Sequence, residues 1–434
     1  MHLSTSPSPR RTARYRSRLP RQLAAGVCCA LLLSGLPAAT AAAAAARPPV
    51  PARHQEHGRG TLLSHTKLYT LATPQDAADE LHAAGFAAGT VRHGVVAYRL
   101  VYRTVDAHGR PTTASGLFVV PLGSGARLRV VSFAHGTGVN RDDSPSEKRR
   151  DFVSAPAIAH AAAGAAVVAP DYLGMGEGPG PHPWMDIGSE TTASVDMLRA
   201  ARAFAPRTGH VLEREVMVTG FSQGASAALG LGRALQAGED RWFRLGALAP
   251  VSGAYDFGGA ELPALLDGGV DPKMGVMYMA YLLVAFNRLH HLYDTPGEVF
   301  RAPYDRGIEA LFDGSHTGRQ LAAGTPGTLD ELLTGHGRAM LAHPSGPLAA
   351  ALRTTDAVCT DWAPRAPVRL FMATGDEQAV TANTEHCRAA LRTNGVHVRV
   401  VDAGAADYHG SRHLGSEAAA TPAIVRWFGE LTRG

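Results

Sequence analysis

Cysteine is scarce in this chain, with four among 434 residues. Two of them, Cys28 and Cys29, fall in an N-terminal leader-like segment, which leaves Cys359 and Cys387. Aromatic residues make up only 6% and form no obvious membrane-binding patch. No basic stripe suited to tracking a phosphate backbone occurs, so nucleic acid is not an expected partner. The N-terminal apolar stretch, residues 23–36, is about 14 residues long, short of the roughly 20 that a spanning helix needs. Neither a Pro/Ser-rich linker nor an internal repeat is present, which argues against independent tandem domains and for one large domain with an insertion.

The leader itself is well marked. Arg10, Arg11, Arg14, Arg16, Arg18 and Arg21 precede the apolar stretch with no acid among them, and the small-residue tract 38–46 follows it. That order describes a secretory signal over residues 1–46 and an exported, extracellular protein. Loss of those six arginines takes the formal charge from +4 to about −2, so the positive balance of the whole chain reports mostly the leader. In an exported protein the remaining even pair, Cys359 and Cys387, suggests a disulfide. Such a bridge would contribute roughly 3–4 kcal/mol in the chain-entropy picture.

Beyond the leader, strand and helix signals alternate. Residues 95–103 and 114–121 read as an antiparallel opening pair across the turn-rich 106–111. Short β-branched runs at 129–135, 165–171, 215–219, 245–251, 368–373 and 396–401 read as buried strands, and 189–204, 225–235, 383–391 and 417–431 as helices. This predicts an α/β fold with a mostly parallel, doubly wound sheet. Residues 254–360 break the alternation with an apolar, Met- and Tyr-rich run at 274–286, and read as a helical cap inserted after the sixth strand. The core is thereby divided into 47–253 and 361–434.

Gly220-Phe221-Ser222-Gln223-Gly224 sits between a predicted strand and a predicted helix. A serine on so sharp a turn, with small residues two before and two after, fits a nucleophile elbow. Serine needs a base, and the base an orienting acid. The acid is expected just after a late strand, where Asp376 and Glu377 are adjacent; Asp376 is first off the strand, and Glu377 is the alternative. The base is expected in the loop before the last helix. His409 is favoured there because Gly410-Ser411 follows it, with His413 as the second choice. Oxyanion donors are expected from the backbone of Gln223 and of Thr137 or Gly136, in the loop after an early strand.

His135-Gly136-Thr137, Asp171-Tyr172-Leu173-Gly174-Met175-Gly176, His182-Pro183-Trp184 and the Ser222 pentapeptide, in that order, resemble the secretory lipase family of the α/β-hydrolases. The resemblance runs from about residue 70 to the end. It implies hydrolysis of carboxylic esters of lipids or other acyl esters, a cap over an acyl pocket, transient contact with a lipid interface, and neither a metal nor an organic cofactor. Two departures are visible: residues 139–146 lack the cysteine often found there, and Asp-Glu replaces a single aspartate. The residues alone do not reveal the bond cleaved, so a serine peptidase or an acyltransferase of the same fold stays open. A non-catalytic binding protein on this fold is the reading of a different class, against which three triad elements argue.

Overall fold

The computed structural model describes residues 58–431, so the signal expected over residues 1–46 lies outside the described residues. Nine strands form one sheet: β1 (Leu62–Leu71), β2 (Val95–Val105), β3 (Pro111–Pro121), β4 (Arg127–Ala134), β5 (Ala166–Pro170), β6 (Val211–Phe221), β7 (Arg244–Val251), β8 (Arg369–Met372) and β9 (Arg399–Asp402). Their order is β1-β2-β3-β5-β4-β6-β7-β8-β9. The pairs from β1 to β3, and β3 with β5, are antiparallel; all the others are parallel.

Both faces of the sheet are covered, which explains the near-continuous apolar runs in the central strands. Successive side chains point to opposite faces. Phe118, Val130, Val168, Val218 and Leu248 pack with helices α3 (Ile187–Phe204) and α4 (Gln223–Ala237). Their neighbours Leu117, Val131, Val167, Met217 and Ala247 pack on the other face with α1 (Pro74–Ala83), α2 (Ala155–Ala162) and the C-terminal helix Arg412–Leu431.

Strand β1 escapes the sequence pattern. It is an edge strand whose middle, from His65 to Lys67, is exposed; only its ends pack inward, through Leu62, Leu68, Tyr69 and Leu71, so no continuous apolar run betrays it. A charged, polar edge also discourages pairing with another chain. The helical insertion thus follows β7, which is the sixth strand counted from Val95.

Between β7 and β8 the chain is mostly helical from residue 257 to 360 and builds an apolar core that also takes in Trp184 and Met185. Its longest element after α5 (Leu262–Asp267) is α6 (Pro272–His290). The Asp271 side chain accepts the Met274 N–H at the start of α6, Pro272 occupies the first turn, and left-handed His291 ends it. Cys359 and Cys387 are bonded, with S–S 2.00 Å, tying the Gly346–Thr360 helix to the Ala382–Thr393 helix.

Candidate active site

The carboxyl ends of β4, β6 and β8 converge under α6, and each delivers one part of the site. In parallel sheets this end is where ligands bind. Ser222 stands between β6 and α4 at φ +56°, ψ −122°, a backbone conformation that costs about 1–3 kcal/mol. The flanking glycines are sterically required. A Cβ on Gly220 would lie 2.1 Å from the Gly224 carbonyl oxygen, and one on Gly224 would lie 2.1 Å from that of Ala134. The Ser222 N–H donates to the Val251 carbonyl (2.9 Å), locking the turn to β7.

His413 Nδ1–H donates to Asp376 Oδ2 at 2.8 Å, and His413 Nε2 accepts from the Ser222 hydroxyl at 2.9 Å. His413 and Asp376 are both buried, at 2% and 8% exposure. The second Asp376 oxygen accepts the N–H groups of Gln378 and Ala379, both at 2.9 Å. These two bonds fix the carboxylate and leave the other oxygen for the imidazole. Phe221 packs against the His413 ring, with centroids 4.6 Å apart.

Of the two histidines expected near the last helix, the favoured His409 lies away from Ser222, and His413, the second choice, stands between Ser222 and Asp376. His409 is exposed at φ +53° and is followed by Gly410 at φ +89°. The Tyr408 and Ser411 backbones bond to each other across them, making the two residues the tip of a tight reverse turn. Positive φ at both central positions is the mark of that turn type. The small residues after His409 thus belong to a hairpin pointing to solvent, whereas His413 lies in the first turn of the C-terminal helix.

Glu377, the alternative acid, does not contact the imidazole. It accepts from the Ser411 hydroxyl, from Arg412 N–H (3.0 Å) and from His413 N–H (3.3 Å). Burial pushes its carboxyl up, but these donors outweigh that and hold it below the usual carboxylate range. It caps the helix that carries His413.

The loop after β4 brings Gly136 and Thr137 beside Ser222, where both border the same cavity. His135 anchors that loop: its Nδ1 bonds the Gly136 carbonyl (2.8 Å), its ring stacks on Tyr172 at 4.4 Å, and the Tyr172 hydroxyl donates to its carbonyl (3.0 Å). Gln223 is the first residue of α4, where a main-chain N–H has no partner within the helix. Its side chain is fixed from a direction the sequence did not suggest. Gln223 Nε2 donates to His182 Nε2 (2.8 Å) and to Glu190 Oε1 (2.6 Å), while His182 Nδ1 donates to the Leu173 carbonyl (2.9 Å). Burial pushes His182 down to about 4, so it is neutral and can accept. Burial also pushes Glu190 up to about 8, against the pull of the Gln223 bond.

A second buried carboxyl, Glu261, accepts the Val380 N–H (3.1 Å) and Asn383 Nδ2 (2.6 Å), clamping the loop beyond Asp376 to the start of the helical insertion. Burial raises it to about 7. Nothing local in the sequence distinguishes Glu190 or Glu261 from surface glutamates; each acquires its role through residues far along the chain. Among the described residues, no cluster of three or more His, Cys, Asp or Glu is placed to hold a metal ion, and no helix is long and apolar enough to cross a membrane.

A cavity of about 420 Å³ opens on Ser222 and His413, walled by Phe133, Phe152, Phe221 and Leu414 from the sheet side and by Met277 and Tyr281 of α6. This arrangement on a nine-stranded, mostly parallel sheet is an α/β-hydrolase fold.

No protein-family model matches the chain, and no curated protein matches it in sequence. Solved structures do resemble it. The rice cell wall degrading esterase LipA from Xanthomonas oryzae aligns at a TM-score of 0.74 and 25% identity, over 86% of this chain and 99% of that one. A Legionella pneumophila protein described as a putative hydrolase aligns at 0.77 and 22% identity, over 86% and 98%. Candida antarctica lipase A aligns at 0.57 and 13%, over 81% and 78%. The structural neighbours are thus esterases and lipases of the α/β-hydrolase type, which supports an ester hydrolase at a general level.

Proposed function

We propose that this chain is a secreted serine hydrolase that cleaves carboxylic esters through an acyl-enzyme on Ser222. The hydrogen-bonded chain Ser222–His413–Asp376, at the floor of an apolar cavity, carries the reading.

The Ser222 oxygen attacks the ester carbonyl while its proton passes to His413 Nε2. Asp376, already bonded to Nδ1, stabilises the imidazolium that results. Backbone N–H groups of Gln223 and Thr137 receive the oxyanion, each worth about 2.7–4 kcal/mol of barrier in such sites. The intermediate collapses, and the departing alkoxide takes the proton from His413 to leave as the alcohol. Water then gives a proton to His413 and attacks the acyl carbon. Collapse of this second intermediate releases the acid and returns the proton to Ser222.

A panel of p-nitrophenyl esters beside aminoacyl anilides tests the bond cleaved, on the chain lacking residues 1–46. Ester hydrolysis that disappears in Ser222→Ala supports the reading. Cleavage of the anilides alone would replace it with a peptidase.

A further inference from the structure

The space around Ser222 is divided. Besides the cavity of about 420 Å³, a second chamber of about 20 Å³ touches Ser222 from the side of Gln223. Thr137, Ser222, Tyr278 and Gln378 border both spaces. The Tyr278 hydroxyl donates to Gln378 Oε1 at 2.8 Å, and Gln378 Nε2 in turn donates to Glu377 (3.2 Å) and the Ser411 hydroxyl (3.2 Å). On its other side the Tyr278 ring lies parallel to Trp184, with centroids 5.9 Å apart and planes at 7°. Trp184 is itself held by Tyr281, stacked at 4.8 Å, and by its Nε1–H bond to the Thr137 hydroxyl at 3.0 Å. Tyr278 is thus a wall braced along both edges.

His413 borders only the larger space. A leaving alcohol must come within reach of His413 Nε2 to take its proton, so the alcohol belongs in the larger space. The acyl group then points into the small chamber, beside the two residues that would bind the oxyanion. A volume of about 20 Å³ accommodates little more than one water-sized group, and so a methyl but not a chain. Phe257, Leu265 and Glu261 also line the chamber. A longer chain would outgrow that lining.

We propose that Tyr278 sets acyl specificity by closing the small chamber, which makes the preferred substrates short-acyl esters, acetyl above all, of bulky apolar alcohols. The proposal rests on the ester hydrolase reading above. Opening the wall should join the chambers and admit longer chains.

The test compares kcat/KM for p-nitrophenyl acetate, butyrate and octanoate in the wild type, Tyr278→Ala, Tyr278→Phe, Leu265→Ala and Ser222→Ala. The wild type should favour acetate over octanoate by at least about tenfold, the discrimination that a methylene or two supplies in a close-fitting pocket. Tyr278→Ala should bring that ratio close to one or invert it, while Tyr278→Phe keeps the ring and the preference. Leu265→Ala deepens the chamber without touching the wall and should move the optimum toward butyrate; it carries the test if Tyr278→Ala does not fold. A wild type that favours octanoate, or unchanged ratios in the folded Tyr278→Ala or Leu265→Ala variant, would overturn the division. Failure of the underlying reading looks different: no ester is hydrolysed by the wild type, or hydrolysis persists in Ser222→Ala.

Discussion

Glu377 holds His413 from behind: one carboxylate oxygen accepts the main-chain N–H of His413 at 3.3 Å and that of Arg412 at 3.0 Å. The neighbouring Asp376 holds the same residue by its imidazole. Two adjacent carboxylates therefore fix one histidine at two points, one through the backbone and one through the ring.

Loss of the backbone support should be felt as lost positioning. Glu377→Ala leaves the Ser222–His413–Asp376 groups in place but removes the cap that sets the start of their helix. Small misplacements of reacting groups cost up to about 100-fold in rate, so kcat for ester hydrolysis should fall about 10- to 100-fold. KM should change little. Because the native Glu377 carboxyl titrates below its ordinary value, its contribution to stability is present above that value and lost as pH falls through the lower one. Thermal melts of wild type and variant should therefore converge in strong acid, as circular dichroism would register.

Glu190 predicts the opposite slope. Its folded pKa is raised from the ordinary 4.5 to about 8, so the folded protein binds that proton more tightly than the unfolded chain. The stabilisation is complete below about 4.5 and is lost as pH rises through about 8. Glu190→Gln preserves an oxygen for the Gln223 amide and removes the titration. Differential scanning calorimetry between pH 5 and pH 8 should show Tm falling less with pH in the variant than in the wild type. An equal fall in both would place Glu190 in water rather than in the core.

The Cys359–Cys387 bond closes a sequence separation of 28 residues. Replacing both cysteines with alanine should cost roughly 3–4 kcal/mol on the loop-entropy estimate. Urea unfolding monitored by tryptophan fluorescence would register the loss. Ester hydrolysis at low temperature should be retained, since neither sulfur borders the Ser222 cavity.

What could be read from the sequence follows the reach of the forces involved. The serine turn was legible because its requirements are local: two glycines where a Cβ would strike backbone four residues on or in the adjoining strand, a buried strand before and a helix after. The central strands were legible because burial on both faces leaves continuous apolar runs. β1 was not, because an exposed edge strand carries polar residues such as His65 and Lys67. The choice between His409 and His413 turned on where the last helix begins. It begins at Arg412, five residues before the predicted start, which draws His413 into the helix and leaves His409-Gly410 as a solvent-facing turn. Asp376 could be placed by its position after β8; the different task of Glu377 depends on a helix start 35 residues away that only the folded chain brings near.

The central claim, that Ser222 is activated by His413, is tested most directly by fluorophosphonate labelling read as intact mass. The account predicts a single adduct that maps to Ser222, is abolished in Ser222→Ala, is strongly slowed in His413→Ala and proceeds at the wild-type rate in His409→Ala. An adduct that persists in Ser222→Ala, or labelling that depends on His409 and not on His413, would contradict it.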